Sequence, residues 1–186
     1  MQLVSLVFET ERLRAVPWRD EHAETAHAAY SRPDFVRYLG NSQPHPDLAH
    51  TRRWIERINE LNDGKRDGFW AVELRDTGEL VGATLCHPVP GGEGEHEIGW
   101  HVFPAHQSNG YATEIGRGAA AYGFGVLGLD ELVAVVMPDN VASVAVARAI
   151  GMRPRGRTSR YYDIEVELFT LSADEFAAGG PTAPRR

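Results

Sequence analysis

Apolar residues recur along the chain with two spacings, and these spacings predict its helices and strands. In the stretch 47–62, apolar residues stand three or four positions apart, which is typical of an amphipathic helix. The stretch 20–31 has an Asp at its start and a Pro shortly after its end, and these residues predict a second helix. Strands are predicted where apolar residues alternate with polar ones or form short continuous runs, at 9–18, 69–74, 80–86, 95–103, 132–137, 157–162 and 165–171.

The third of the central strands, 95–103, divides into two faces. Because side chains alternate along a strand, Ile98 and Trp100 share one face with Val102, whereas Glu97 and His101 lie on the other. Ile98 and Trp100 are therefore predicted to belong to the core.

Two further helices are predicted for 110–127 and for 140–151, and a short one from Ser172. Glycines inside 110–127 each cost roughly 1 kcal/mol relative to Ala, so propensity alone does not favour that helix. Strands with interleaved helices indicate an α/β (α+β) fold, with helices on both faces of one sheet. We expect one domain over 1–176 and a disordered Gly- and Pro-rich tail over 177–186.

Composition narrows the function classes. The chain of 186 residues is 42% hydrophobic and carries a formal net charge of −7, which argues against nucleic-acid and anionic-membrane partners. No apolar run approaches the ~18 residues of a membrane-spanning helix, there is no signal-peptide pattern, and the single Cys86 cannot form an internal disulfide. A cytoplasmic location is therefore expected. His96 and His101 fall on opposite faces of a strand and no His-Glu-x-x-His motif occurs, so no metal site is expected.

The stretch 104–114 connects a predicted strand to a predicted helix. Such a junction exposes unpaired backbone N–H groups at the positive end of the helix dipole, an arrangement that binds phosphate. Gly110 and the small Ala112 allow a ligand to approach the backbone. On spacing alone an ordinary turn into a helix remains the alternative, and the stretch has neither a nucleotide P-loop motif nor a three-glycine dinucleotide fingerprint.

Several segments together resemble the GNAT acetyltransferase superfamily. The sequence Gln-Ser-Asn-Gly-Tyr-Ala at 107–112 is similar to its Gln/Arg-x-x-Gly-x-Gly/Ala pattern. More narrowly, the chain resembles the RimJ/RimL-type branch, which acetylates protein N-termini and some small amines. The segments that carry this resemblance cover most of residues 9–171 and are 10–14 with 17–18, 36–40, 69–72, 77–82, 97–100, 110–114 and 140–144.

The resemblance implies the fold and the cofactor site. It implies a central mixed, mostly antiparallel, seven-stranded sheet that splays between its fourth and fifth strands, with the pantetheine arm of acetyl-CoA in the gap. The arm would pair with strand backbone near His101 and Val102 and contact Asn140 and Ser143, although Asn140 also suits a helix N-cap. The pyrophosphate would be bound by the loop residues Gln107, Ser108, Asn109, Gly110, Tyr111, Ala112 and Thr113.

The resemblance also implies the chemistry. Attack of an amine on a thioester needs a base, and Glu97 lies where the family often places its catalytic glutamate. Glu95 is the fallback on the same face, His101 is a weaker candidate, and a solvated or structural glutamate is the alternative. Many relatives use a Tyr from the helix at 144–152 as acid, but here that helix has none. Ser143, Tyr161 or Tyr162 is then the candidate acid, unless the thiolate leaves unaided.

The resulting hypothesis is acetyl transfer from acetyl-CoA to a primary amine, by direct attack in a ternary complex. The acceptor is a protein or peptide N-terminal α-amino group or a small amine, with an amine-bearing antibiotic as a further possibility. A catalytically silent acyl-CoA-binding sensor is the alternative from another class. A homodimer is a family expectation. The residues themselves leave the acceptor and the length of the acyl group open.

Overall fold

One eight-stranded sheet organises the protein in a computed structural model that describes residues 6–39 and 43–179. Its strand order is β1-β2-β3-β4-β5-β6-β8-β7. The strands are β1 (Phe8–Glu9), β2 (Leu13–Val16), β3 (Gly68–Leu74), β4 (Leu80–Pro88), β5 (His96–Val102), β6 (Glu131–Val136), β7 (Arg153–Thr158) and β8 (Val166–Ser172).

The helices lie between these strands in the chain. They are α1 (Ala23–Tyr30), α2 (Pro33–Val36), α3 (Leu48–Asn62), α4 (Tyr111–Gly125), α5 (Val141–Ala149) and α6 (Ala173–Gly179), with short 3-10 turns at Asp20–His22 and Pro104–His106. In the described ranges, none of them is long and apolar enough to cross a bilayer.

The pairing of the strands confirms the predicted fold class. All neighbouring strands are antiparallel except β5 and β6, which are parallel and pair only at His96↔Leu132 and Glu97↔Val133. The sheet is therefore mixed, mostly antiparallel and open between β5 and β6, the fourth and fifth of the predicted strands. It has one strand more than predicted, because the two-residue β1 pairs with β2 at the edge.

The helix α4 forms despite its glycines because it lies very close to the sheet. A Cβ added to Gly118 would lie 2.6 Å from the ring of Phe8, and one added to Gly123 would lie 3.0 Å from Leu132. Tertiary packing thus outweighs a low helix propensity. The core on this side of the sheet includes Ile98, Ala119, Leu132 and Phe169, and the opposite core includes Trp18, Ala26, Tyr30, Ile55 and Ala71.

Two predicted boundaries are wrong for identifiable reasons. The predicted helix 20–31 begins with a 3-10 turn, and Asp20 is paired with Arg52 of α3 instead of capping α1. In place of the predicted strand 157–162 the structure has β7 at Arg153–Thr158, and Tyr162 lies in the turn that follows, with a positive φ of 58° that a strand does not permit. By contrast, the predicted helix 47–62 is present as α3, and Asp47 caps it by accepting a hydrogen bond from the His50 N–H at 2.6 Å. Of the predicted tail, Ala177–Gly179 belong to α6, and residues 180–186, like Gly40 of the motif 36–40, lie outside the described residues.

Candidate active site

A cavity opens where β5 and β6 separate. Its volume is about 740 Å³, and its walls come from both strands, from α1 and α3, and from the loop before β8. Ile98 and Trp100 border it from β5, and Ala134 and Val136 border it from β6. The early loss of pairing between the two strands therefore creates both a cleft and an exposed strand edge.

Glu97 lies at the inner end of this cleft. Its side chain is only 7% exposed and lines the cavity, on the opposite face of β5 from the core residue Ile98. Burial raises the pKa of Glu97 to about 7, although hydrogen bonds from the Tyr162 hydroxyl and the Val135 N–H act to lower it. Glu97 can therefore take up or release a proton near neutral pH, as a general base must.

Of the two candidate tyrosines on the loop between β7 and β8, Tyr162 is the one that reaches Glu97. Its hydroxyl donates a hydrogen bond to the Glu97 carboxylate and lines the cavity. Burial, together with the nearby carboxylate, raises the pKa of Tyr162, so its hydroxyl stays protonated at neutral pH. Tyr161 is 2% exposed, packs between Val133 and Val166, and does not line the cavity.

Glu95 is held away from the cleft. Its carboxylate lies 2.8 Å from Arg160, and the Tyr161 hydroxyl donates to it at 3.4 Å. Backbone hydrogen bonds from Glu95 and Glu93, together with the charge of Arg160, lower its pKa. Glu95 therefore lies outside the cavity with a lowered pKa, whereas Glu97 lines the cavity with a raised pKa.

His101 lines the cavity with its side chain. Burial lowers its pKa to about 4, so the imidazole is neutral at neutral pH, and its Nδ1 lies 3.1 Å from the Tyr30 hydroxyl. The backbone N–H and C=O of His101 point away from the gap, towards β4. In an antiparallel pair alternate residues direct their N–H and C=O groups to the partner strand. Because the Phe103 N–H donates to Val81 of β4, His101 also faces β4, whereas Val102 faces the gap.

The start of α5 forms the wall of the cavity next to β6. Asn140 caps the helix by accepting a hydrogen bond from the Ser143 N–H at 3.1 Å, so the N-cap role foreseen for it is present. Both Asn140 and Ser143 also line the cavity. A capped helix start at this point presents two polar side chains to whatever occupies the cleft.

The loop 107–113 lies beyond the open end of β5. Gly110 is the N-cap of α4 with a positive φ of 78°, and Ser108 has a φ of 65°. The Asn109 side chain donates to the carbonyls of His106 (3.0 Å) and Gln107 (3.1 Å), which makes the turn rigid. Since glycine cannot cap with a side chain, the first-turn amides Tyr111, Ala112 and Thr113 remain available for an anion, as in other helix N-termini. The Gln107 side chain points back and donates to the Val102 carbonyl at 3.4 Å.

Arg12 is a residue of the site that sequence reasoning did not single out. Its Nη1 donates to the Asn109 carbonyl at 3.0 Å, and its guanidinium lies 4.7 Å from the centre of the Tyr111 ring. Arg12 therefore supports the loop from outside. Its place in the recognised segment 10–14 was the one available signal, and that segment by itself does not show which loop the side chain contacts.

One cluster of metal-ligating side chains lies outside the cavity. Among the described residues, Glu21, His22 and Glu73 are close enough to share an ion. The buried Glu73 carboxylate is already paired with the guanidinium groups of Arg14 and Arg19. Because two guanidinium groups would repel a metal ion, we assign this cluster to the stability of β3.

The sheet open at β5 and β6, the loop before α4 and a glutamate on β5 are the features that the resemblance to GNAT acetyltransferases implies. The family described as acetyltransferase (GNAT) domain matches residues 12–153 of this chain. The chain belongs to this family. It is 32% identical over 155 residues to the "Uncharacterized N-acetyltransferase YoaA" of Bacillus subtilis (strain 168), covering 83% of this chain and 87% of that protein.

Solved structures agree with this assignment. An acetyltransferase (GNAT family) from Bacillus anthracis aligns with a TM-score of 0.75 at 25% identity, covering 90% of this chain and 98% of that one. RimL, a ribosomal L7/L12 alpha-N-protein acetyltransferase in complex with coenzyme A, aligns with a TM-score of 0.73 at 16% identity, covering 92% and 99% of the two chains. At that identity RimL shares the fold, and its acceptor does not transfer to this chain.

Proposed function

We propose that this protein transfers the acetyl group of acetyl-CoA to a primary amine, with Glu97 as the general base. The observation that carries the proposal is a buried carboxylate, with its pKa raised to about 7, at the point where β5 and β6 separate. A group poised near neutral pH inside a cavity of a GNAT protein suits the deprotonation of an amine.

The cleft suits acetyl-CoA in two respects. The glycine-capped start of α4 suits the pyrophosphate, because its amides and helix dipole attract negative charge without a basic cluster. The edge of β5 that faces the gap, around Val102, suits an extended pantetheine arm that carries amide groups. Asn140 and Ser143 then lie beside the arm at the start of α5.

In the proposed reaction the amine nitrogen attacks the thioester carbon, and the carbon–sulfur bond breaks after a tetrahedral intermediate. Glu97 removes the proton from the attacking nitrogen, directly or through a water molecule. The Tyr162 hydroxyl can then protonate the departing thiolate and recover a proton from Glu97, to which it is hydrogen-bonded. This pair balances the protons of the reaction. Ser143 lines the same cavity and is the second candidate for the donor.

The test is thiol release from acetyl-CoA in the presence of a panel of amines, comparing wild type with Glu97→Gln. Loss of a general base is expected to lower kcat about 100-fold or more, with the Kd for acetyl-CoA within about twofold of wild type because Glu97 is distant from the phosphate loop. Glu95→Gln is the matched control, since Glu95 is paired with Arg160 outside the cavity, and it is expected to retain activity. Full turnover in Glu97→Gln would remove Glu97 as the base.

A catalytically silent acyl-CoA-binding module is the second candidate, favoured by the absence of a Tyr in Val141–Ala149. The same assay separates the two proposals. Coenzyme A binding by calorimetry without thiol release from any amine would support the silent module.

A further inference from the structure

Aromatic rings from α1, α3, β3 and β5, and from the loop before α3, form one wall of the cavity. Trp54 contacts both Tyr30, with ring centres 5.1 Å apart, and Phe69, at 5.7 Å. His45 lies 5.4 Å from Tyr30, and His101 lies 5.5 Å from Phe69. All of them line the cavity, and we call this group the aromatic wall: Tyr30, His45, Trp54, Phe69 and His101.

The aromatic wall carries no charge at neutral pH. Burial lowers the pKa of His101 to about 4, and burial together with the neighbouring His50 and His27 lowers that of His45 to about 4. Apart from Glu97, the described charged residues that line the cavity are Lys65 and Asp67, which have opposite signs. Besides Glu97, an acceptor with several positive charges would therefore meet only one described carboxylate, that of Asp67, and the charge of Lys65 offsets it.

Three polar groups of the wall, the Tyr30 hydroxyl and the Nδ1 atoms of His45 and His101, already have partners within the protein. The Tyr30 hydroxyl is paired with His101 at 3.1 Å, and His45 is paired with Thr51 at 2.9 Å. Next to the wall, the Asn62 amide donates to the Phe69 carbonyl at 2.8 Å. A peptide main chain placed against these groups would lose hydrogen bonds to water and regain few, which costs free energy.

We infer that the acceptor is a small primary amine that carries an aromatic or similarly flat apolar group and no second charge. This inference rests on the proposed function. The apolar group would lie against the aromatic wall and leave water, and its amino group would face Glu97. Offset stacking against the wall adds to the gain from burial. At the aromatic wall itself, where no charged side chain of the described residues lies, a second charge on the apolar group, positive or negative, would be buried without a partner and would weaken binding.

The first experiment compares kcat/KM for an aromatic monoamine with that for amines that carry further charges. We expect 2-phenylethylamine to exceed spermidine, an aliphatic polycation, and phenylalanine, which adds a carboxylate to the same skeleton, by at least tenfold, equivalent to about 1.4 kcal/mol. A phenylalanyl dipeptide tests the peptide alternative and is expected to be poorer than 2-phenylethylamine. A preference for spermidine, or for the dipeptide, would overturn the inference.

The second experiment changes the charge at the cavity. Lys65→Glu and Arg66→Glu make the same change of charge at adjacent exposed residues, but of the two only Lys65 lines the cavity. The measured quantity is the turnover of spermidine divided by that of 2-phenylethylamine, at 0.15 M salt. Lys65→Glu is expected to raise this ratio at least fivefold, whereas Arg66→Glu should leave it nearly unchanged. An equal rise in both variants would mean that charge at the cavity does not decide between the two amines.

Failure of the inference and failure of the proposed function give different results. Acetyl transfer that favours another class of amine would refute only the acceptor class. If no amine is acetylated, the affinities of 2-phenylethylamine and spermidine for the coenzyme A-bound protein, measured by calorimetry, still test whether the aromatic wall selects the ligand. Tighter binding of 2-phenylethylamine supports the inference, and equal or weaker binding overturns it.

Discussion

The guanidinium of Arg12 lies 2.7 Å from the carboxylate of Glu114 and so joins the start of β2 to the first turn of α4. The same carboxylate accepts hydrogen bonds from the Thr10 hydroxyl (2.6 Å) and from the Arg12 N–H (2.7 Å). Because Arg12 also donates to the Asn109 carbonyl, this one ion pair positions the turn into which the phosphate groups of acetyl-CoA are proposed to bind.

Replacing Glu114 by Gln is expected to loosen that turn. The variant keeps the shape of the side chain but loses its charge-assisted bonds to Arg12. We expect the Kd for acetyl-CoA to rise about three- to tenfold, with kcat at saturating acetyl-CoA within about twofold of wild type. Glu165→Gln, which removes an exposed pair with Arg157, is the control and should change neither value. A fall in kcat without a change in Kd would place Glu114 in the chemistry instead.

A single charge at Gly110 tests the proposed phosphate loop. Asn and Asp both tolerate the left-handed conformation that Gly110 adopts (φ 78°), and they differ only in charge. A Cβ at this position would meet nothing closer than the Arg12 side chain at 3.6 Å, so both variants should fold. Gly110→Asp is expected to weaken coenzyme A binding at least tenfold more than Gly110→Asn. Equal affinities in calorimetry would mean that the pyrophosphate binds elsewhere.

Removing the Tyr162 hydroxyl should change the pH dependence of the reaction in a defined direction. The hydrogen bond from Tyr162 favours the ionised form of Glu97 and opposes the effect of burial on its pKa. Without it the pKa of Glu97 rises further. In Tyr162→Phe the acid limb of kcat/KM, expected near pH 7 in wild type, should therefore move to higher pH. Ser143→Ala should leave the acid limb at the pH of wild type. A shift of the acid limb to lower pH in Tyr162→Phe would mean that the Tyr162 hydroxyl does not lower the pKa of Glu97.

The ion network around Glu73 predicts how stability depends on pH. Burial opposes ionisation of Glu73, but hydrogen bonds from His22 and Arg14 and the charge of Arg19 outweigh it and lower the pKa from 4.5 to about 2. A lowered pKa in the folded state stabilises the fold above pH 4.5, and this contribution is lost as the pH falls towards 2.

Glu73→Gln should therefore reduce the free energy of unfolding by about 3 kcal/mol at pH 7, the lower end of the range for a broken buried pair, because Arg14 and Arg19 keep part of their side chains in water. Urea unfolding between pH 7 and pH 2 should show this difference shrinking below pH 4.5. Asp34→Asn, at an exposed pair with Arg32, should leave the free energy of unfolding nearly unchanged. A difference that stays constant with pH would contradict the ionised network.

Local patterns in the sequence were sufficient for most helices and strands and for one catalytic candidate. Alternation along β5 correctly placed Glu97 opposite the core residue Ile98, because side-chain direction in a strand follows from position alone. The opening of the sheet was predicted from the resemblance to the family. The structure confirms it, because β5 and β6 pair at only two residues. The tyrosines were misplaced on a strand because the positive φ of Tyr162 leaves no local sequence signal.

What the sequence by itself determined was the family, the class of fold, and the residues of the loop before α4, since these depend on short-range periodicity and on motifs. Only the tertiary structure decided which side chains meet in the site. Glu97 and Tyr162 are 65 residues apart in the chain, and Arg12 is 102 residues from Glu114. The choice of Tyr162 over Tyr161 and of Glu97 over Glu95, like the assembly of the aromatic wall from four elements and the loop before α3, follows from strand order and helix packing. Those long-range contacts set burial, and burial sets the pKa of Glu97 on which the proposed chemistry depends.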